Sequence, residues 1–216
     1  TQIFWRLVPS PISLRKIINC MDRIVQKDQL RKLLKLDNMS SLDEAFADIA
    51  DALLNDFVIK KGDDKTYRIL EIEFYHNQAE TAGKDKTITY KRIACAGQWY
   101  FHSSGVDICF ESTNESYGGI LIRAIKDMTS GKAICGPYNV MDTLFDKFDA
   151  LEMPMDFPLL KETHGHRDSV LSDIRWHPRK EWPAEDHEKK YRFYLPEECW
   201  ELNKSEKYPA YPFKTK

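Results

Sequence analysis

Residues 67–75 carry two carboxylates and a tyrosine at alternating positions. Successive side chains of a β-strand point to opposite faces, so Glu71, Glu73 and Tyr75 are predicted to share one face. Strand rise alone places the two carboxylates roughly 7 Å apart. Because glutamate is depleted from strands and like charges repel, this face is either a solvated edge or one wall of a site. In a site, such a carboxylate can orient and deprotonate a water molecule.

Arg123 is a second candidate, because it lies within the otherwise apolar residues 120–125. Arginine is rarely fully buried unless it is paired. Glu73 or a bound phosphate would serve as its partner, and a plain structural ion pair is the alternative interpretation.

Metal binding is the other function for which the spacing of residues provides candidates. His164 and His166 have the spacing of metal ligands, and Asp168 and His177 lie nearby. An isolated H-x-H pair in a polar loop is usually solvated, and the chain contains no C-x-x-C pair. We therefore predict no metal site.

Hydrophobic periodicity predicts helices in the first part of the chain. Apolar residues recur at helical spacing over residues 12–36, with lysine and arginine on the other face. A further helix is predicted from about residue 42 to residue 55. Ser41 is its predicted N-cap, and Glu44 is expected to complete a capping box.

Strands are predicted to dominate the rest of the chain. They are predicted at residues 57–60, 66–75, 99–101, 106–110, 120–125 and 191–195. The turn at residues 62–64 predicts that the first two strands form a hairpin. Asn139 is predicted to cap a helix through about Leu151. Residues 76–96 and 152–190 are predicted to be mostly loop. Many strands with few helices predict an α+β fold with a strongly curved, mostly antiparallel sheet and flanking helices.

Composition limits the class of protein. The chain has 216 residues, of which 42% are hydrophobic, which is enough for one core. We expect residues 1–48 to form an N-terminal helical extension, packed on the same domain or docking a partner, and residues 49–216 to form the domain. A net charge of −2 argues against a protein held to nucleic acid by bulk positive charge.

The chain's apolar runs and cysteines bear on its location. We expect no membrane span and no signal peptide, because no long apolar run occurs and the start lacks a cleavage site. Five scattered cysteines are typical of a reducing compartment, which predicts a cytoplasmic protein. The sequence does not predict the oligomeric state.

Six segments resemble, in order, the alkyladenine (3-methyladenine) DNA glycosylase family. L-E-I-E-F-Y at residues 70–75 resembles the family's V-E-T-E-A-Y strand, and G-I-L-I-R-A-I at residues 119–125 resembles its V-L-L-R-A-L strand. No single motif is specific, but all six occur at compatible spacing. The other matching segments are residues 49–59, 97–110, 135–140, and 181–182 followed by 191–194.

The resemblance implies a base-excision enzyme. The family flips a damaged purine nucleotide out of duplex DNA and hydrolyses the bond between base and deoxyribose. By this resemblance Glu73 activates the water, and Arg123 lies beside that water and the nucleotide's phosphate. Tyr75 matches a tyrosine that packs against the flipped base, and His102 matches one that stacks on it. The chemistry needs no cofactor, and the expected partner is DNA or a nucleotide.

The chain departs from the family at the expected base pocket. Ser104 stands where the family has a tyrosine that fills the gap left by the flipped nucleotide, and Glu111 stands where it has an asparagine. We predict both as base-binding residues of a remodelled pocket. Since serine cannot fill a void in a base stack, the substrate is left open between duplex DNA, a single strand and a nucleotide. The alternatives are a nucleoside or nucleotide N-glycosidase and a non-catalytic module that binds nucleic acid or protein.

Overall fold

The computed structural model describes residues 25–37, 39–77, 88–146, 148, 151–152, 156–165 and 167–200. In this part of the chain the fold is α+β, as predicted, with a strongly curled antiparallel sheet and few helices. The predicted helical residues 12–24 and the residues after Trp200 lie outside the described residues.

Helices and strands follow one another in the described residues in much the predicted order. The helices are α1 (Lys27–Leu33), α2 (Leu42–Asn55), α3 (Pro137–Leu144) and α4 (Ala184–His187), and a 3-10 turn spans Glu197–Cys199. The strands are β1 (Phe57–Lys61), β2 (Lys65–Asn77), β3 (Trp99–His102), β4 (Gly105–Cys109), β5 (Tyr117–Asp127), β6 (Ala133–Cys135), β7 (Leu159–Glu162), β8 (Leu171–Asp173) and β9 (Arg192–Tyr194).

Strand β2 lies at the centre of the sheet. It pairs with β5 along one edge, and with β1 and then β9 along the other. The predicted hairpin of β1 and β2 is confirmed. The order across the sheet is β3-β4-β5-β2-β1-β7, with β6 beside β5 and β8 beside β9. Because β2 has partners on both edges, its middle is shielded from solvent at the backbone.

A bulge interrupts β2, which the strict alternation did not predict. The register between β2 and β5 shifts on either side of Glu71. Ile69 and Leu70 are consecutive residues, yet both lie in the core. A bulge adds one residue to a strand and so changes which face the following side chains occupy. Beyond it the predicted alternation holds, with Phe74 in the core and Glu73 on the opposite face.

Helix α2 begins and ends where it was predicted. The Ser41 hydroxyl accepts a hydrogen bond from the backbone N–H of Glu44 at 3.2 Å. The Glu44 carboxylate accepts from the Ser40 hydroxyl, so it was wrongly predicted to complete a capping box. The buried face of α2 packs on β2, where the rings of Phe46 and Phe74 stack with centroids 4.4 Å apart.

The described part of the N-terminal segment packs on the sheet. Leu30 and Leu34 belong to the same core as Phe46. The carbonyl of Leu34 accepts a hydrogen bond from the backbone N–H of Glu111 at 3.0 Å. The boundary drawn after residue 48 falls inside α2.

Helix α3 differs from its prediction at both ends. Its N-cap is Gly136, at a φ of 95° that favours glycine, and Pro137 follows as the first helical residue. Asn139 lies inside the helix, and its side-chain amide donates to the carbonyl of Cys135 at 2.8 Å. The helix ends at Leu144, several residues earlier than predicted.

Residues 152–190 were predicted to be mostly loop, but they also contribute β7, β8 and α4. Strand β7 pairs with β1, and β8 pairs with β9. Their sequences, L-L-K-E and L-S-D, have little strand pattern of their own. Pairing with neighbouring strands therefore decides their conformation.

Candidate functional site

Glu73 is buried in β2 and accepts three hydrogen bonds. Its side chain is 0% exposed. Oε1 accepts from the backbone N–H of Trp176 at 2.7 Å. Oε2 accepts from the Tyr75 hydroxyl at 2.7 Å and from Nη1 of Arg123 at 2.9 Å. The alternative of a solvated edge for this face of β2 is therefore wrong.

Arg123 joins the two carboxylates of β2. Its Nε lies 3.7 Å from Oε1 of Glu71, while its Nη1 contacts Glu73. Oε1 of Glu71 also accepts from the indole N–H of Trp176 at 2.8 Å and lies 3.3 Å from Nη1 of Arg192. Burial raises the pKa of Glu71, and the charge of Arg123 and the Trp176 hydrogen bond oppose that rise. Two buried acids are thus balanced by two buried guanidinium groups.

A buried arginine supports the aromatic side chains next to Glu73. Arg175 donates to the carbonyl of Phe74 at 3.0 Å and to that of Asp186 at 2.8 Å. Its guanidinium carbon lies 4.7 Å from the ring centroid of Trp182 and 5.4 Å from that of Tyr75. Cation–π contacts with Arg175 therefore hold both rings in position.

A cavity of about 560 Å³ opens beside this network. Tyr75 and Arg123 both line the cavity and both hydrogen-bond Glu73. Glu73 itself is fully buried, so its carboxylate lies one hydrogen bond behind the cavity wall. The lining residues are Tyr75, Ile88, Thr89, Tyr90, Lys91, His102, Ser104, Asp107, Leu121, Arg123, Pro137, His177, Arg179 and Trp182.

The Tyr75 hydroxyl is held in its protonated form. Burial raises the pKa of Tyr75 well above its ordinary value, and the negative charge of Glu73 and the hydrogen bond donated to it act in the same direction. Arg123 and Arg175 oppose this rise. Tyr75 therefore stands between the cavity and the acid as a neutral hydroxyl, which can accept one proton as it donates another.

Strands β3 and β4 form a second wall of the cavity. Nε2 of His102 lies 3.0 Å from Oδ1 of Asp107, whose Oδ2 accepts from Nη1 of Arg92 at 2.7 Å. The backbone N–H of Ser104 donates to Nδ1 of His102 at 3.3 Å. With Nδ1 as an acceptor, a neutral ring carries its proton on Nε2 and donates it to Asp107. Hydrogen bonds at both nitrogens thus orient the His102 ring.

The structure brings most of the predicted site residues together. Those that line the cavity or lie directly behind it are Glu73, Tyr75, His102, Ser104 and Arg123. Glu111 lies elsewhere, because its carboxylate accepts from the backbone N–H of Ala96 at 2.8 Å. Glu111 holds the segment before β3, and we correct its assignment as a base-binding residue.

Sequence reasoning missed Asp107, Arg92 and Trp176. Asp107 is a charged residue within a buried strand, which is the signal that identified Arg123, so the same criterion would have found it. Arg92 is buried in a segment predicted to be loop, where no periodicity marks it. Trp176 donates a hydrogen bond to Glu73 through its backbone N–H. A pattern of side-chain types in the sequence does not predict a backbone donor.

The candidate metal ligands do not form a site in the described residues. The Asp168 carboxylate pairs with Arg68 at 2.7 Å, while His177 lines the cavity. His166 lies outside the described residues. Among the residues that the structure describes, no group of three or more histidine, cysteine, aspartate or glutamate side chains is placed to hold a metal ion.

Comparison with known proteins adds no relative: no protein-family model matches the chain, and no curated protein is significantly similar to it. None of the helices in the described ranges has the length and apolar character needed to cross a lipid bilayer. The fold and the cavity define the class as an α+β protein with a buried network of acids and guanidinium groups behind an aromatic-walled pocket.

Proposed function

We propose that the protein binds a purine nucleotide in this cavity and hydrolyses its N-glycosidic bond, with Glu73 as the ultimate proton acceptor. One observation carries the proposal: Tyr75 and Arg123 each line the cavity and each hydrogen-bond Glu73. These two side chains connect a pocket open to a ligand with a carboxylate that is closed to bulk water.

The cavity wall suits a purine base. Its volume of about 560 Å³ lies within the range of small-molecule pockets. Aromatic rings at Tyr75, Tyr90, His102 and Trp182 face the space. Stacking of a base on an aromatic side chain stabilises binding by about 1–3 kcal/mol. A purine placed among these rings would bring its sugar towards the inner end of the cavity, where Tyr75 and Arg123 lie.

The proposed reaction uses a water molecule on the cavity side of Tyr75. The water oxygen forms a bond to C1′ of the sugar, and the bond from C1′ to the purine nitrogen breaks. The electron pair leaves with the base, which takes up a proton from solvent. The water's proton passes to the Tyr75 hydroxyl, whose own proton passes to Glu73. The carboxylate also stabilises the positive charge that develops on the sugar.

Release of base from nucleic acid and from nucleotides tests this proposal. Hypoxanthine release is measured from single-stranded and duplex DNA that contains deoxyinosine, and from inosine and its 5′-monophosphate. Glu73→Gln keeps the shape of the side chain but cannot take the proton, so we expect it to lose activity on every substrate that the wild-type protein cleaves. The matched control is Glu111→Gln, a carboxylate outside the cavity, which should retain activity.

A non-catalytic binding module is the second candidate, and a specific observation favours it. Both oxygens of Glu73 are already engaged by Trp176, Tyr75 and Arg123, as in a structural ion pair. If the wild-type protein releases no base from any of these substrates but binds them, this second function replaces the first. Equal activity of the wild-type and Glu73→Gln proteins would also overturn the hydrolytic role of Glu73.

A further inference from the structure

We propose that the ligand is an unpaired purine nucleotide whose phosphate lies between Lys91 and Arg179 at the opening of the cavity. This inference rests on the proposed use of the cavity for a purine, and it adds a substrate class and a phosphate subsite. The nucleotide can be free or part of a single strand, since both present the same base, sugar and phosphate.

The charges that line the cavity favour an anionic group at its opening. Arg123 is already neutralised by Glu73, and Asp107 by Arg92. Lys91 and Arg179 are exposed, and within the described part of the chain neither forms an ion pair with a carboxylate. The inner end of the cavity is therefore balanced, while the opening carries an excess of positive charge. A phosphate supplies the oxygens that such donors bind most strongly.

Arg179 is oriented by a residue from the facing segment. Its guanidinium carbon lies 5.9 Å from the ring centroid of Tyr90. Hydrogen bonds from Arg179 and from Ser103 to the Tyr90 hydroxyl lower the pKa of that hydroxyl. The residue after Tyr90 is Lys91, so the contact of Tyr90 with Arg179 joins, at the opening of the cavity, the two segments that carry these exposed cations. A phosphate held there leaves the base free to reach the aromatic wall.

The surroundings of the opening favour an unpaired nucleotide over duplex DNA. The turn between β3 and β4 that borders the cavity is Ser103-Ser104, and both residues are exposed. An enzyme that extrudes a nucleotide from a duplex must compensate for the lost stacking, and apolar wedges commonly serve this purpose. Two serines provide no wedge. The net charge of −2 also provides little of the positive charge that duplex binding requires.

Calorimetric titration of the inactive Glu73→Gln protein tests the phosphate subsite without turnover. The probes are inosine, inosine 5′-monophosphate, and single-stranded and duplex oligonucleotides that contain deoxyinosine. We expect the monophosphate to bind more tightly than inosine, and this advantage to decrease as salt is raised. Arg179→Gln and Lys91→Gln, added separately, should each weaken monophosphate binding about tenfold and weaken inosine binding much less. The control is Lys180→Gln, an exposed lysine next to Arg179 that does not line the cavity.

Each outcome bears on the proposal in a defined way. If the monophosphate binds more tightly than the single strand, the ligand is a free nucleotide. If the single strand binds more tightly, the ligand is a nucleotide within a strand. Equal binding of inosine and its monophosphate, or tighter binding of the duplex than of both unpaired forms, overturns the inference. So does an equal effect of Arg179→Gln on both inosine and the monophosphate. If the phosphate dependence is found while the wild-type protein releases no base, the subsite stands and only the hydrolytic function fails.

Discussion

Arg123 donates from Nη1 to Oε2 of Glu73 at 2.9 Å, although the two residues are 50 positions apart in the chain. The register of the sheet accounts for this contact. Glu73 is paired with Leu121 and Glu71 with Ala124, so Arg123 on β5 lies between the two acids of β2. Neighbouring strands place such diagonal side chains within reach of long residues.

Removal of either partner of the Arg123–Glu73 ion pair should strongly reduce the stability of the fold. Replacement of Arg123 by methionine leaves the Glu73 charge buried without its main partner. We expect a loss of about 3–5 kcal/mol in the free energy of unfolding. Urea denaturation followed by circular dichroism measures this loss.

A double-mutant cycle provides the control for this pair. Adding Glu73→Gln to Arg123→Met removes the unpaired charge, and the double variant should recover part of the lost stability. Strict additivity of the two single substitutions would show that the two groups are not energetically coupled.

Replacement of Tyr75 by phenylalanine separates the role of its hydroxyl from that of its ring. The ring still lines the cavity, so we expect the affinity for a purine ligand to change little. The proton path to Glu73 is removed, and kcat for base release should fall by about 10²-fold or more. Steady-state kinetics and calorimetric titration of the same variant measure the two effects. An unchanged kcat would exclude Tyr75 as a proton relay.

The stability of the fold should decrease in acid because of His76. Burial lowers the pKa of His76 from its ordinary 6.5 to about 4, and Nε2 lies 3.0 Å from the Ser116 hydroxyl. Between pH 6.5 and 4 the unfolded chain takes up a proton that the folded chain does not, so stability is lost as the pH falls. The contribution amounts to at most about 3 kcal/mol.

Comparison of unfolding at pH 7 and pH 4.5 isolates this contribution. His76→Gln should lose less stability between these two pH values than the wild-type protein does. His177→Gln, an exposed histidine, should behave like the wild-type protein. If His76→Gln and the wild-type protein show the same pH dependence, another group is responsible for the acid sensitivity.

Gly118 should tolerate no side chain. A Cβ atom at this position would overlap the backbone carbonyl of Tyr75 on the adjacent strand. We expect Gly118→Ala to destabilise the fold by about 1–3 kcal/mol or more, because β5 and β2 must move apart. Thermal unfolding measures the effect. Gly165→Ala is the control, since among the described residues a Cβ there meets only the Thr163 hydroxyl, at 4.0 Å. A similar loss in both variants would contradict this explanation.

The resemblance to a glycosylase family remains an expectation, but several local features of the chain were predictable from its residues. The cap and the length of α2 followed from Ser41 and from the helical spacing of apolar residues. The hairpin of β1 and β2 followed from the turn at Gly62. Such features depend on interactions within a few residues of each other, so a single sequence contains the information that determines them.

The sequence by itself determined that Glu71, Glu73 and Tyr75 share one face of a strand, because alternation follows from strand geometry alone. Only the tertiary structure decided that this face is buried, because the residues that cover it arrive from distant segments. The backbone of Trp176 and the side chain of Arg192 reach the two acids from more than a hundred positions away. The position of Glu111 outside the cavity was likewise decided by packing at the end of α1. Burial depends on which segments come into contact in the folded chain, and the local spacing of residues does not determine those contacts.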